Sequence, residues 1–93
     1  MIELPSILTD TLPPGKVGEL YMEFIDWQGG TPTFTWSISS GVLPPGLELL
    51  TSTGNIVGTP TLEGTYNFTV RLTDSCGASD SMALSLTIMS AAP

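Results

Sequence analysis

The chain has 93 residues, of which 41% are hydrophobic and 12% are charged, and its formal net charge is −7. This length fits one domain, and so high an apolar content with so little charge excludes a natively disordered chain. Lys16 and Arg71 are the two basic residues, too few for the clustered positive charge that binds nucleic acid or anionic membranes. We therefore predict neither a nucleic acid partner nor insertion into a membrane.

The spacing of prolines and glycines predicts short strands. Eight prolines and ten glycines interrupt the chain so often that no long helix fits between them. The intervals are rich in Thr, Ser, Val, Ile and aromatic residues, which favour strands. In chain order we predict strands at 2–8, 17–27, 33–38, 47–50, 56–58, 65–73 and 82–88.

Alternating apolar residues predict which side chains form the core. In 33–38 and 65–73 every second residue is apolar, as in a strand with one buried face. Seven short strands at regular spacing indicate an all-β, two-sheet antiparallel sandwich. The predicted core consists of Ile25, Phe34, Trp36, Leu47, Ile56, Tyr66, Phe68, Val70, Leu84 and Leu86.

We interpret residues 1–93 as a single module with short flanking segments. Residues 1–10 are predicted to be an edge strand or linker, because Pro5 has no N–H to donate to a central strand. Residues 89–93 are predicted to be a C-terminal linker. The sequence contains neither a basic-then-apolar leader nor an apolar stretch near ~18 residues, so we expect any export signal to lie outside this chain.

An ordered series of short motifs runs along the chain. The motifs are GGTP at 29–32, FTWSI at 34–38, LPPGL at 43–47, TGNIVGTP at 53–60, GTYNFTV at 64–70 and TDS at 73–75. Their order and spacing from residue 12 to residue 88 resemble the immunoglobulin-like domains of bacterial and archaeal surface proteins, which are close to dystroglycan-type cadherin-like domains. The resemblance implies a seven-stranded immunoglobulin-like β-sandwich in a secreted or cell-surface protein.

Aromatic residues fall where an immunoglobulin-like sandwich needs them. In such sandwiches a buried Trp on the third strand packs on a pair that joins the second and sixth strands. Trp36 is on the third predicted strand, and Tyr66 opens the sixth just past a corner. Phe68 follows where an antibody domain carries cysteine, so apolar packing replaces the disulfide. Cys76 is the only cysteine, and it is either a passive turn residue or a thiol that pairs with another chain.

The sequence lacks the residues of the common catalytic and metal sites. It has no histidine, and the lone cysteine therefore has no imidazole base. A zinc site needs three or four ligands from Cys, His and carboxylates, and no such set is present. We predict that the module is not an enzyme and needs no cofactor, with calcium as the one open question.

The resemblance implies a candidate calcium site among three aspartates. The turns after the second and sixth strands would lie at the same end as the N-terminus, bringing Asp26, Asp74 and Asp80 together, with Glu3 nearby. Calcium takes six to eight oxygen ligands, and cadherin-like relatives hold it between successive domains. The full acidic ligand motifs of cadherins are absent here, so solvated loop acids are the alternative interpretation.

The second predicted strand is apolar on both faces. In the resembled domains the positions of Tyr21 and Ile25 face the core, with polar residues between them. Here the intervening positions are Leu20, Met22 and Phe24, which predicts an exposed partner surface. A β-bulge that changes the facing, or cover from a neighbouring loop, is the alternative.

The leading functional interpretation is a non-catalytic structural or adhesion module that presents neighbouring modules of the same parent chain. The alternative is a binding module for carbohydrate or protein, with or without assistance from calcium. The resemblance turns Trp27 toward the core, but the adjacent Gly29 and Gly30 leave room for an exposed aromatic ligand surface. The low lysine content and the Thr- and Ser-rich strands suit a secreted or cell-surface setting.

Overall fold

The computed structural model describes residues 4–91, and this part of the chain consists of strands, turns and bends. The strands are β1 (Ser6–Ile7), β2 (Gly15–Lys16), β3 (Tyr21–Phe24), β4 (Trp27–Gln28), β5 (Thr35–Gly41), β6 (Leu47–Leu49), β7 (Asn55–Gly58), β8 (Gly64–Thr73) and β9 (Ser79–Met89). Residues 4–91 include no helix of the length and apolarity that a membrane span requires. The predicted all-β class is confirmed.

The strands form two main sheets and a short two-stranded ladder. The four-stranded sheet has the order β2-β9-β8-β5, and the three-stranded sheet has the order β3-β7-β6. β1 pairs with β4 in the ladder. All pairs are antiparallel except β2 with β9, and the longest is the β8–β9 hairpin, which runs from Gly64 opposite Ile88 to Thr73 opposite Ser79.

The second predicted strand, 17–27, is wrong in its bounds. Gly18 has a φ of +84°, and the Glu19 N–H donates to the Lys16 carbonyl, so the chain turns here and β3 begins only at Tyr21. The strand then breaks after β3 and resumes as β4, which leaves the three-stranded sheet to pair with β1. The prolines at 13–14 cannot donate to a ladder, and the chain crosses there from β1 to β2.

The core lies between the two main sheets. It consists of Ile7, Tyr21, Ile25, Trp36, Ile56, Phe68, Val70, Leu72, Leu84, Leu86 and Ile88. The prediction is therefore mostly confirmed, although Phe34, Leu47 and Tyr66 are only half-buried and pack against this cluster. Ile7, Tyr21, Leu72 and Ile88 also belong to the core and were not in the predicted set. Ile7 has no local signature, because a tertiary contact buries it in a short, proline-containing segment.

The two flanking segments are only partly described. Residues 1–3 and 92–93 of the predicted edge strand and linker lie outside the described range. Within it, β1 occupies two residues of the predicted N-terminal strand, and β9 continues through Met89. Ser90 and Ala91 follow as exposed residues outside any strand.

Tyr66 closes the corner before β8. Its hydroxyl donates to the Leu62 carbonyl at 3.0 Å and lies 3.3 Å from the Glu63 carbonyl. Immunoglobulin-like sandwiches have a tyrosine in this role, near the start of the sixth strand and bonded to backbone a few residues upstream. Phe68, two residues later, is 3% exposed and packs in the core where antibody domains have a cysteine.

We expect Tyr66→Phe to lower the free energy of unfolding by about 1 kcal/mol, because the ring stays while the hydrogen bond is lost. Urea denaturation of both proteins measures this difference. Thr65→Val, which removes the exposed hydroxyl contact to Thr87, serves as a neighbouring control with a smaller expected loss. Equal stability of Tyr66→Phe and the wild type would contradict the role of the hydroxyl.

Candidate functional site

The described chain enters the fold beside the start of β9 and leaves it at the end of β9, and we call these two places the attachment points. Near the start of β9 the Ile7 N–H donates to Asp80 Oδ2 at 2.7 Å. At its far end Lys16 pairs with Met89, and the Val17 N–H donates to the Met89 carbonyl at 3.0 Å. The molecule measures 55 × 18 × 18 Å. We call the end with Ile7 the entry end and the end with Met89 the exit end.

Asp74 holds two loops together at the entry end. Its side chain is buried, and Oδ2 accepts the Thr31 N–H at 3.1 Å from the loop that precedes β5. Oδ1 accepts the N–H groups of Cys76 and Ala78 within the β8–β9 turn, at 3.0 and 2.9 Å. The Thr31 bond above all, helped by the turn bonds, lowers the pKa of Asp74 below 3.8 despite the opposing effect of burial.

The neighbouring Ser75 strengthens the same junction. Its N–H donates to the Thr31 carbonyl at 3.1 Å, and its hydroxyl lies 2.7 Å from the Pro32 carbonyl. An aspartate that bonds the N–H two residues later forms an Asx-turn, and the sequence Asp-Ser-Cys-Gly carries that signal. Asp74 is one of the three candidate calcium ligands, and in the structure its carboxylate accepts backbone N–H groups of this turn.

The structure does not gather the three predicted calcium ligands. No group of three or more Cys, Asp or Glu side chains placed to hold a metal occurs within residues 4–91. Asp74 and Asp80 accept backbone N–H groups, and Asp26 is exposed, with its own N–H donating to Thr9 Oγ1 at 2.7 Å. Glu3 lies outside the described residues. Calcium binding completed by a neighbouring module stays a prediction.

The outer face of β3 is apolar and exposed. Leu20, Met22 and Phe24 are 73%, 62% and 64% exposed, and β3 pairs with β7 without a bulge. Met22 lies opposite Val57 in that pairing, which extends the apolar surface to the middle strand of the sheet. We call Leu20, Met22, Phe24 and Val57 the apolar face. Whether a partner binds there stays a prediction.

Tyr21 anchors the inner side of the same strand. Its ring is 6% exposed, and its hydroxyl donates to the Pro13 carbonyl at 2.8 Å. Burial raises the pKa of the Tyr21 hydroxyl to about 12, and the negative charge of Glu23 adds to the shift. The phenol therefore stays protonated, and the chain that crosses between β1 and β2 is held against β3.

The Trp27 side chain is partly buried and partly exposed to solvent. It is 36% exposed, and its ring lies 4.2 Å from that of Phe34, centroid to centroid, at an interplanar angle of 48°. Its strand borders a shallow depression lined by Leu4, Ser6, Gln28 and Gly29. Phe34 covers part of the indole, so only the remaining surface is free to contact a ligand.

The sheet order and the Tyr66 corner are those of an immunoglobulin-like sandwich, and a comparison with family profiles agrees. The family described as "Putative Ig domain" matches residues 5–89. The chain is a member of this family. No curated protein matches the sequence of this Ig domain.

Solved structures of longer proteins contain similar domains. One is a Bacteroides fragilis protein described as a "putative alpha-galactosidase", with 26% identity and a TM-score of 0.78 over 94% of the Ig domain and 18% of that chain. An endo-fucoidan hydrolase of glycoside hydrolase family 107 has 20% identity and a TM-score of 0.73, over 96% of the Ig domain and 14% of that chain. The extracellular cadherin domains 1–4 of protocadherin gamma B7 have 19% identity and a TM-score of 0.67, over 96% of the Ig domain and 25% of that chain. The Ig domain thus spans a quarter or less of these chains.

We expect Asp74→Asn to flatten the acid limb of the stability curve of the Ig domain. A folded-state pKa below 3.8 means that the native state holds fewer protons than the unfolded chain, so its stabilisation is present above pH 3.8 and disappears as the pH falls through the lower, folded value. Urea denaturation between about pH 6 and pH 2 measures this dependence. Asp10→Asn, at an exposed carboxylate, is the matched control, and an unchanged acid limb in Asp74→Asn would contradict the assignment.

We expect the double substitution Met22→Thr with Phe24→Thr to leave the fold intact and to lower self-association. Both side chains are on the solvent side of β3, where replacement by a strand-forming residue changes the unfolding free energy by about 0.5 kcal/mol or less. Sedimentation velocity over a wide concentration range measures the association. Val42→Thr, at an exposed apolar residue away from this sheet, is the control. Identical monomeric behaviour of wild type and double variant would contradict the prediction.

Proposed function

We propose that this Ig domain is a non-catalytic spacer that joins neighbouring modules of a secreted or cell-surface protein and holds them apart. The observation that carries the proposal is the position of the two attachment points. β1 lies beside the start of β9, and the chain leaves after the end of β9, a strand of 11 residues. At about 3.3 Å per residue, such a strand separates the two points by roughly 30 Å.

Hydrogen bonds fix the chain to the body of the domain at each end, which supports a constant distance between the neighbouring modules. At the entry end the Leu8 N–H donates to the Asp26 carbonyl at 2.8 Å, in addition to the bond between Ile7 and Asp80. At the exit end the Gly18 N–H donates to the Pro60 carbonyl at 3.0 Å, next to the β2–β9 pairing. A module tied to its core at both ends keeps its length, whereas loosely attached termini would act as a flexible joint.

The similar structures favour a multidomain setting. Each of them matches the Ig domain over a minor part of a much longer chain, and their descriptions name a putative alpha-galactosidase, an endo-fucoidan hydrolase and the extracellular cadherin domains of a protocadherin. We propose the corresponding context here, outside the cell and next to a catalytic or adhesive module. The sequence has no histidine and a single cysteine, which favours a non-catalytic spacer over a catalytic module.

Small-angle X-ray scattering of two copies joined end to end through their own terminal residues tests the spacer. The proposal predicts a maximum dimension near twice the 55 Å of one domain and a scattering curve of a rod. A matched tandem with an inserted Gly- and Ser-rich linker gives the flexible reference. The proposal would be overturned if the two copies joined through their own terminal residues packed side by side, with a maximum dimension close to that of one domain.

Trp27 favours a second candidate function, the binding of a saccharide. Its indole is 36% exposed, so part of an aromatic ring face is free to stack on a sugar ring. Trp36 is 1% exposed, so a change in tryptophan fluorescence on adding galactose- or fucose-containing oligosaccharides reports on Trp27. Saturable quenching that disappears in Trp27→Phe is the expected result. Unchanged emission across both sugar classes would eliminate this candidate.

A further inference from the structure

A shallow groove of about 440 Å³ crosses the outer face of the four-stranded sheet, away from Trp27 and from the apolar face. Its lining includes the polar residues Asp10, Ser40, Asn67, Thr69 and Ser85, but Phe68, Ala83 and Leu84 also line it, and most of its exposed surface is apolar. This volume falls within the range of sites that bind small molecules. The alternation in 65–73 put Asn67 and Thr69 on the polar side of that strand, but nothing in the sequence indicated that they border a concavity.

Strand register explains why the groove forms there. Asn67 lies opposite Ser85, and Thr69 lies opposite Ala83, so the four side chains are neighbours on the same face of β8 and β9. The intervening Phe68 is buried in the core, which turns the groove residues outward. Because Ala83 has the smallest side chain of the four, the surface dips at its position while the longer polar side chains form the walls.

The groove offers hydrogen-bonding groups of both kinds and little charge. The Asn67 amide donates and accepts, the hydroxyls of Ser40, Thr69 and Ser85 do the same, and the Asp10 carboxylate accepts. Asp10 is the one charged residue in the lining. Arg71 continues the same face of β8, but its guanidinium donates to Ser79 Oγ at 3.2 Å, toward the entry end and away from the groove.

We propose that this groove binds a neutral pyranose unit of a polysaccharide. A sugar ring presents several hydroxyls that donate and accept at once, which matches an amide flanked by hydroxyls and a carboxylate. Sulfated or phosphorylated ligands would meet Asp10 and a domain of net charge −7. A docking protein would need about 800 Å² of surface on each partner, far more than this groove provides. The site is independent of the spacer role and of Trp27.

Amide NMR spectra of the isotopically labelled domain, titrated separately with galactose, fucose, glucose and mannose into the tens of millimolar, test the site. We expect at least one sugar to give saturable shifts centred on Asn67, Thr69 and Ser85, with a dissociation constant near about 1 mM. Asn67→Ala should weaken that binding by about fivefold through the loss of a hydrogen bond. Thr35→Ala, on the same sheet face near the entry end, should leave the binding unchanged.

The outcomes separate the groove from its alternatives. Shifts that centre on Trp27 and Gln28, or that persist undiminished in Asn67→Ala, overturn the groove as the binding site. The absence of saturable shifts with all four sugars overturns it as well. Since exposed Asn67 contributes no core contact, the dispersion of the variant spectrum verifies that the domain is folded. None of these results alters the length of the tandem, so the spacer proposal stands or falls separately.

Discussion

Trp36→Ala is expected to lower the free energy of unfolding by about 3–5 kcal/mol, because truncating a fully buried indole loses its burial and leaves a cavity. Trp36 is 1% exposed and lies opposite Leu72 in the β5–β8 pairing, between the two sheets. A domain of this length has a stability of about 5–14 kcal/mol, so the variant would be marginal. Urea denaturation followed by far-UV circular dichroism measures the loss.

The second tryptophan provides the control for that experiment. Trp27→Ala removes the same side chain from a site that is 36% exposed, and we expect a clearly smaller loss of stability. The difference between the two variants isolates the contribution of burial from that of composition. Equal losses, or a Trp36→Ala domain as stable as the wild type, would contradict the assignment of Trp36 to the centre of the core.

Gly54→Ala is expected to cost about 2–4 kcal/mol, the sum of backbone strain and overpacking. Gly54 has a φ of +80°, which disfavours any L side chain, and an added Cβ would lie 2.6 Å from Cε2 of Trp36. Because the Gly54 N–H also donates to the Leu50 carbonyl at 2.9 Å, the turn cannot move away without losing that bond. Chemical denaturation of the variant measures the cost.

Gly77→Ala separates the two contributions. Gly77 has a φ of +89°, but nothing lies within 4 Å of an added Cβ, so this variant bears the strain alone, about 1–2 kcal/mol. Gly54→Ala should therefore be the less stable of the two, and its near-UV circular dichroism should show a displaced Trp36. Equal costs at the two sites would mean that the turn before β7 does not press on the indole.

The strands with one apolar face could be predicted from the sequence because burial in a sandwich follows alternation. In β8 the residues at every second position, Phe68, Val70 and Leu72, are buried as the pattern indicates. The segment from 17 to 27 could not be predicted in this way, since it is apolar on both sides and its break is set by pairing with β1 and β7. Sheet switching is a tertiary event without a local signature.

The candidate sites show the same division. The outward direction of Met22 and Phe24 followed from strict alternation about Tyr21, a property of the strand itself. The Asp-Ser-Cys-Gly run signals the turn that Asp74 closes, but the bond from the Thr31 N–H to Asp74 joins residues 43 apart, which no short motif reveals. The groove around Asn67 depends on the register of β8 against β9, and register is fixed by the core and the hairpin together.

The distance between the two attachment points decides whether this Ig domain is a spacer. Spin labels on Leu4→Cys and Ser90→Cys, in a Cys76→Ser background that removes the exposed native thiol, allow this distance to be measured by double electron–electron resonance. A rigid spacer gives a single narrow distribution at about 30 Å or more, the length of the β9 strand that separates the two ends. A distribution centred below about 20 Å would place both ends on the same side of the domain and contradict the spacer.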